Sequence, residues 1–583
     1  MKLSLHLAII ANFVGSPFAF ANDFVNHNPA QLNASCEIAS SESSHVALGH
    51  IPKLVKAMND SGKLTEDKRL PVMFALKLNN EDELNSRIAE MYRPGSMSFH
   101  QFLTSSEFKA RYAPTLTQIA EERVFLESNG IAVQSVSENQ MFIRAQASVA
   151  TLNHVFKTEL HHYLHKSGKS YFAPAYDIQI PNTSQIASVI GLNNTAKLHS
   201  RLVRHTAKPT GQPEGSAPGG GLAPADILKA YDVPNTATGE GQTLALFELD
   251  GYDPSDIQYY ESQFGLPNVP LQNIYVDGAT GKIGDPDAQG EVTLDIEMLA
   301  ALAPKAKQIL VYEGPTSDED QFSSFEQGYL DIMQKIADDN LANQVSTSWG
   351  NPEKNFAASD LQAENTVFKQ MAAQGQTVFA AAGDSGAEDD GSSLSVDNPA
   401  SQPYVVGVGG TTVKISSAGD WQSETVWNEL QGQHGAGGGG VSSVWSIPSW
   451  QSSAIANDRQ ASQTMRNVPD VALNSDPETG YAVYLQGQWQ VIGGTSAAAP
   501  LWSAFNALVN QQRLANGQSP TGFLAQALYT VAQGNDYATS FIDIITGNNG
   551  TGSSSYKAGA GYDNATGFGA FRASGLIQQL SNL

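Results

Sequence analysis

The sequence predicts an α/β protein whose main domain is a parallel sheet covered by helices, preceded by a small α+β domain. Beyond residue 221, short apolar runs at 243–249, 308–312, 344–348, 377–382 and 404–408 alternate with longer helix-like segments. Continuous apolar strands between helices are the mark of a parallel sheet buried on both faces, and such sheets place their sites at the carboxyl ends of the strands. Before residue 207 the pattern differs: 70–78 reads as a strand, 81–93 as a helix, and 105–129 carries helical periodicity. Between the two lies 207–221, Ala-Lys-Pro-Thr-Gly-Gln-Pro-Glu-Gly-Ser-Ala-Pro-Gly-Gly-Gly, too rich in Pro and Gly for a helix or central strand. It reads as a linker open to cleavage.

With 583 residues the chain has room for two or more domains and a sizeable core. Its start joins Lys2, an apolar stretch over 5–14, and Ala19-Phe20-Ala21 before Asn22, which reads as a secretory signal peptide spanning 1–21. An extracellular protein is expected. No later apolar run approaches the roughly 20 residues of a membrane span, so no membrane anchor is expected. Cys36 is the single cysteine and cannot form an intrachain disulfide, which favours a bacterial secretion route.

Charge separates the two halves. Residues 217–583 hold 13 Lys+Arg against 40 Asp+Glu, a net of −27, whereas 22–216 hold 19 against 18, a net of +1. So acidic a C-terminal part excludes nucleic acid as a partner. Histidine is skewed the other way: ten of the twelve lie from His27 to His205, and only His434 lies beyond.

The stretch that carries chemistry is Gly493-Gly494-Thr495-Ser496-Ala497-Ala498-Ala499-Pro500, running into the helix-like 501–509. Two glycines allow a tight turn, and a hydroxyl at a helix start is presented beside amides that favour developing negative charge. Ser496 is a candidate nucleophile; the same text would suit an N-cap serine. Its base is not evident as a histidine, because His434 sits in the loop-like run His434-Gly435-Ala436-Gly437-Gly438. Glu291 and Asp295 supply another candidate, at i and i+4 on one helix face, where two carboxyls would share a proton. A solvated acidic face is the plainer reading of that pair. Asp384 ends the apolar run 377–382 in a Gly-Asp-Ser-Gly turn, where a neutral carboxylic acid could donate to an oxyanion or simply cap the turn.

Together these motifs resemble the sedolisin family of serine-carboxyl peptidases. Phe99-His100-Gln101-Phe102-Leu103-Thr104, Tyr112-Ala113-Pro114 and Tyr171-Phe172-Ala173-Pro174 are similar to the family's prodomain, and the segment 224–234 to its mature amino terminus. Val468-Pro469-Asp470-Val471-Ala472 resembles the lead-in to its nucleophile. The resemblance implies a ferredoxin-like prodomain over 22–206 and a subtilisin-like catalytic domain over 222–583, with activation cleavage in 207–221, near Ser216. It implies Ser496 as nucleophile, Glu291 as general base and acid, Asp295 as its partner, and Asp384 as oxyanion donor. Glu248 and Trp349 would extend that network, and Ser348 and Gly350 would bind substrate. Calcium is implied as cofactor, held by the carboxylates of Asp543 and Asp563 and the carbonyls of Ile544, Gly559 and Gly561. The partners implied are protein or peptide substrates and the chain's own propeptide as intramolecular inhibitor. A carboxylate base fits an acidic medium, since Glu titrates near 4.3 and His near 6.5. Two alternatives follow from the same text: a catalytically silent binding or scaffold protein, and a subtilisin-type peptidase using His434. Release of the prodomain is expected below pH 5.5 through protonation of carboxylates; histidine charging would drive it only if those histidines were buried at the interface.

Overall fold

The computed structural model describes residues 45–204, 215–315, 325–455 and 460–583. The predicted signal peptide, Cys36 and the 207–214 part of the linker lie outside them. Strand Arg69–Leu76 alternates strictly between two cores. Leu70, Val72, Phe74 and Leu76 pack inside the amino-terminal domain, while Met73 and Ala75 join the large core of the rest of the chain. Side chains of a strand point alternately to opposite faces, so a strand buried on both reads as continuously apolar.

This strand belongs to a four-stranded sheet in the order Ala132–Val136, Phe142–Ser148, Arg69–Leu76, Ile186–Ile190, all antiparallel. With helices between the first and second and the third and fourth strands in sequence, this is the ferredoxin-like arrangement. The periodic stretch 105–129 forms two helices, Ser105–Tyr112 and Leu116–Ser128. Pro114 disfavours helical backbone at Ala113, and Thr104 and Thr115 each start a helix with a capping box to Glu107 and Gln118.

Helices Glu81–Met91 and Ser105–Tyr112 of this domain dock on the larger one, the first on Ala358–Ala373 and the second on both Phe325–Asp339 and Ala358–Ala373. Tyr92 Oη donates to the Ala372 carbonyl at 2.6 Å, and the Leu103 amide to the Ala373 carbonyl at 2.9 Å. Residues His45–Leu583 form one compact unit.

The large domain is built on an eight-stranded sheet. Its order is Leu271–Tyr275, Gln308–Glu313, Thr243–Glu248, Gln344–Thr347, Thr377–Ala381, Val405–Ile415, Trp421–Val426, with Val471–Asn474 also paired to Val405–Ile415. Every pairing is parallel except that of the last edge strand, Trp421–Val426. Helices Pro286–Leu302 and Thr495–Ala515 pack against each other and against this sheet. The subtilisin-like architecture expected from the sequence is therefore present. Among the described residues, no helix is long and apolar enough to cross a membrane.

Candidate active site

Helix Pro286–Leu302 starts where Asp285 accepts from the amides of Asp287 and Ala288, with Pro286 at its first position. Everything from Ala288 to Leu302 is buried, so the helix runs through the interior and carries Glu291 and Asp295 there. The plainer reading of the pair, a solvated face, does not hold. The second helix, Thr495–Ala515, begins after Gly494, whose φ of 100° is a conformation that favours glycine. Pro500 has no amide to give the Ser496 carbonyl one turn earlier, and that carbonyl accepts instead from Ser348 Oγ at 3.1 Å.

Ser496 Oγ donates to Glu291 Oε2 at 2.9 Å. Asp295 accepts from Ser348 Oγ at 2.8 and 2.9 Å, and Glu248, the last residue of its strand, accepts from Trp349 Nε1 at 2.9 Å. All three carboxyls are fully buried. Burial and then the charge of Asp295 push Glu291 well above the usual carboxyl range; burial and then Glu248 do the same to Asp295. Glu248 is raised chiefly by burial. Such a group holds protons that exposed carboxyls would release, so one oxygen can accept from the serine while its neighbours stay neutral.

Asp384 lies on the other side of Ser496, just past the carboxyl end of Thr377–Ala381. Its Oδ1 accepts from the amide and hydroxyl of Thr495, both at 2.8 Å. Its Oδ2 is buried without a hydrogen-bond partner. Burial pushes the group up to about 7 against those two bonds, so in acid it is a neutral donor.

The chain's own residues 199–204 thread the groove between these groups. His199–Ser200 pairs antiparallel with Trp349–Gly350, and Val203–Arg204 with Ile492–Gly493. Between them the Arg201 amide donates to the Ser348 carbonyl at 3.1 Å, and the Arg201 carbonyl accepts from the Ser496 amide at 3.3 Å. A Cβ at Gly494 would stand 2.0 Å from that carbonyl oxygen and 2.8 Å from Asp384 Oδ2. The Arg201 carbonyl thus sits beside the serine amide and the neutral acid, where an acyl group awaiting attack would lie. The buried Arg201 guanidinium meets Asp389 Oδ2 at 3.5 Å and pairs closely with Asp397. Ser200 Oγ donates to the same Glu291 oxygen that Ser496 uses.

Comparison with known proteins gives the family. The profile described as Pro-kumamolisin, activation domain, matches residues 56–195, and the Subtilase family profile matches 290–569. Kumamolisin from Bacillus sp. (strain MN-32) is 36% identical over 92% of this chain and 96% of its own length. Sedolisin from Pseudomonas sp. (strain 101) is 33% identical over 86% of this chain and 85% of its own. This chain belongs to the sedolisin family. A solved structure of Pseudomonas sedolisin, titled a serine-carboxyl proteinase, superposes with a TM-score of 0.56 at 33% identity, over 62% of this chain and 98% of that one. The protein is therefore a sedolisin-type serine peptidase carrying an activation domain.

Sequence reasoning alone named Ser348 only as substrate-binding and gave no role to Thr495, Asp389 or Asp397. Thr495 orients Asp384, Ser348 orients Asp295 as well as binding backbone, and Asp389 and Asp397 receive Arg201. Thr495 and Ser348 sit next to motif residues, which carry the stronger signal. Asp389 and Asp397 lie in an acidic stretch, 388–397, that carries no periodic signal. His434 lies by the turn Leu430–Gly432, its amide bonded to the Glu429 carbonyl, while the oxygen that receives the Ser496 hydroxyl belongs to Glu291.

The residues implied for calcium converge in two loops. Asp543 accepts from the Gly561 amide at 3.1 and 3.2 Å, and Asp563 from the Gly559 amide at 2.9 Å. Burial raises both carboxyls, and no Lys or Arg among the described residues pairs with either. Buried Asp563 also accepts from the Ala565 and Thr566 amides, and half-buried Asp543 from Tyr537 Oη, so a calcium ion there would meet carboxylate oxygens already oriented by these donors.

Proposed function

We propose that this chain is a secreted, acid-acting, self-processing peptidase that cuts after arginine, its first substrate being its own Arg201–Leu202 bond. The observation that carries this reading is Arg201 itself, whose carbonyl lies on the Ser496 amide while Ser496 Oγ lies on Glu291. Ser496 Oγ adds to the scissile carbonyl carbon as its proton passes to Glu291 Oε2. The carbonyl oxygen gains negative charge and is met by the Ser496 amide and the neutral Asp384. Collapse breaks the C–N bond, the leaving amine takes the proton from Glu291, and water then releases the acyl group by the reverse sequence. Asp295 and Glu248, with Trp349, hold the proton balance of Glu291; Ser348 and Gly350 hold the substrate backbone.

Acid suits this chemistry because Asp384 must be protonated, which its value of about 7 secures below neutrality. Arginine is favoured at the cut because Asp389 and Asp397 would otherwise be two buried acids with their main cationic partner removed. Calcium, held by Asp543, Asp563 and the carbonyls of Ile544, Gly559 and Gly561, would tie the two loops together and serve stability. The 207–221 linker remains the expected place for later trimming, near Ser216, after the bond over the nucleophile has been cut. The amino-terminal apolar segment supports export.

The test is to hold the purified precursor at pH 4 and sequence the new amino termini. Leu202 is expected first, and Ser496→Ala should give a folded precursor that yields none. A stable wild-type chain at pH 4 would favour a catalytically silent scaffold, and processing by the Ser496→Ala protein would remove the serine from the reaction.

A further inference from the structure

Residues 202–204 lie beyond the bond facing Ser496, and each meets a different part of the groove. The pairing of Val203 with Gly493 and of Arg204 with Ile492 makes this segment an added strand, so Leu202 and Arg204 point one way and Val203 the other. The side reached by Leu202 and Arg204 is the first turn of helix Pro286–Leu302, the helix that also carries Glu291. A Cβ placed on Gly290 would stand 3.6 Å from Leu202 Cδ1, 3.2 Å from Leu485 Cδ2 and 2.8 Å from Arg204 Nη2. Arg204 Nη2 donates to the Pro286 carbonyl at 3.3 Å and lies 3.2 Å from Asp287 Oδ1.

We propose that this first helical turn sets specificity after the cut: Gly290 and Leu485 form an apolar subsite for the first residue beyond the scissile bond, and Asp287 with the Pro286 carbonyl forms a cation-selecting subsite for the third. The inference rests on the peptidase reading above and adds to it a substrate class, chains carrying Leu-like then basic residues at those two places. The physical reason is that the first place is walled by the fully buried Leu485 and by glycine at 290, where the nearest charged group is the segment's own Arg204, so the rest of the groove offers an acidic side chain no partner there. Two residues on, an acidic side chain and a carbonyl offer only acceptors. Asp287 is 84% exposed, so its contribution is modest and screened by salt.

The test uses the mature enzyme, peptides sharing Arg at the cut, and pH 5 at low ionic strength. Leu immediately after the cut should exceed Asp in kcat/KM by about 10-fold or more, reflecting a charge set against an apolar wall without a partner. Arg at the third place should exceed Glu by about 3- to 10-fold, carried mainly by KM, and the ratio should shrink toward one in 1 M salt. Asp287→Asn should flatten that ratio and Asp287→Lys invert it, with the ranking at the first place unmoved. A third-place ratio within twofold of one, or one that both variants leave intact, overturns the cation subsite. Equal turnover of Leu and Asp at the first place overturns the apolar one. Failure to cut any peptide after Arg overturns the arginine-directed reading of the site and this inference with it.

Discussion

The two domains bury ionisable groups of opposite kinds. The large domain hides carboxyls whose proton affinity is raised, Glu291, Asp295, Glu248 and Asp384 among them. The prodomain hides His50 and half-hides His100, and their proton affinity is lowered, as is that of exposed His199 in the cleft segment. Burial takes His50 to about 3, and burial followed by a nearby arginine takes His100 and His199 to about 4. His50 Nε2 accepts from the Val189 amide at 2.8 Å, with Ser188 Oγ 3.3 Å from it and Asp177 3.9 Å from Nδ1. His100 Nδ1 accepts from Arg513 Nη2, across the interface, at 2.9 Å. Both bonds require an unprotonated nitrogen.

One fall in pH therefore acts on the two regions with opposite sign. A raised carboxyl contributes stability that is complete below its ordinary value near 4 and lost as pH climbs through the raised one, so the catalytic site gains from acid. A lowered histidine contributes stability that is complete above about 6.5 and lost as pH drops toward about 4, so the docked prodomain weakens. The condition under which histidine charging could drive release, burial at the interface, is met by His50 and in part by half-buried His100, whereas His199 is exposed. Carboxylate protonation across charged pairs such as Lys369 with Glu81 acts in the same direction. A fall in pH would thus favour the catalytic site while loosening the docked prodomain.

Three changes would break or sharpen that contrast. The largest effect is expected on the carboxyl side: Asp384→Ala should cut turnover by roughly 100-fold or more, the scale for losing an oxyanion donor. Near-normal turnover in a folded variant would reduce Asp384 to a turn cap. Next, chelating calcium should lower the melting temperature by about 5 °C or more while leaving initial rates at low temperature nearly unchanged, because the ion would bind the native loops alone. An unchanged melting temperature after verified metal removal would count against the site. The smallest effect belongs to the histidines. His100→Gln keeps an acceptor for Arg513 but cannot charge, so the pH midpoint of prodomain release should fall by about 0.3 to 0.5 units. A midpoint that stays in place would leave carboxylates as the whole trigger.

How much of this was legible depends on how local each signal is. Strand and helix positions in both domains followed from apolar periodicity, with the main error at Ala113-Pro114, where proline overrode the periodicity on either side. Ser496, Glu291, Asp295 and Asp384 could be picked out because each sits in a short motif whose chemistry depends on neighbours one to four residues away. Burial of Glu291 and Asp295 could not, since an acidic helix face has the same text whether it meets water or a sheet.

Sequence by itself determined the two-domain plan, the sedolisin-type motifs, and the acidic and histidine-rich halves, since composition and spacing are properties of the chain. Only the tertiary structure decided that Arg201 lies over the nucleophile, that Asp389 and Asp397 receive it, and that a propeptide histidine accepts from Arg513. Those partners are separated by 188, 196 and 413 positions along the chain. No local pattern encodes such a meeting; it exists because two folded surfaces close on each other and must satisfy every buried charge they trap.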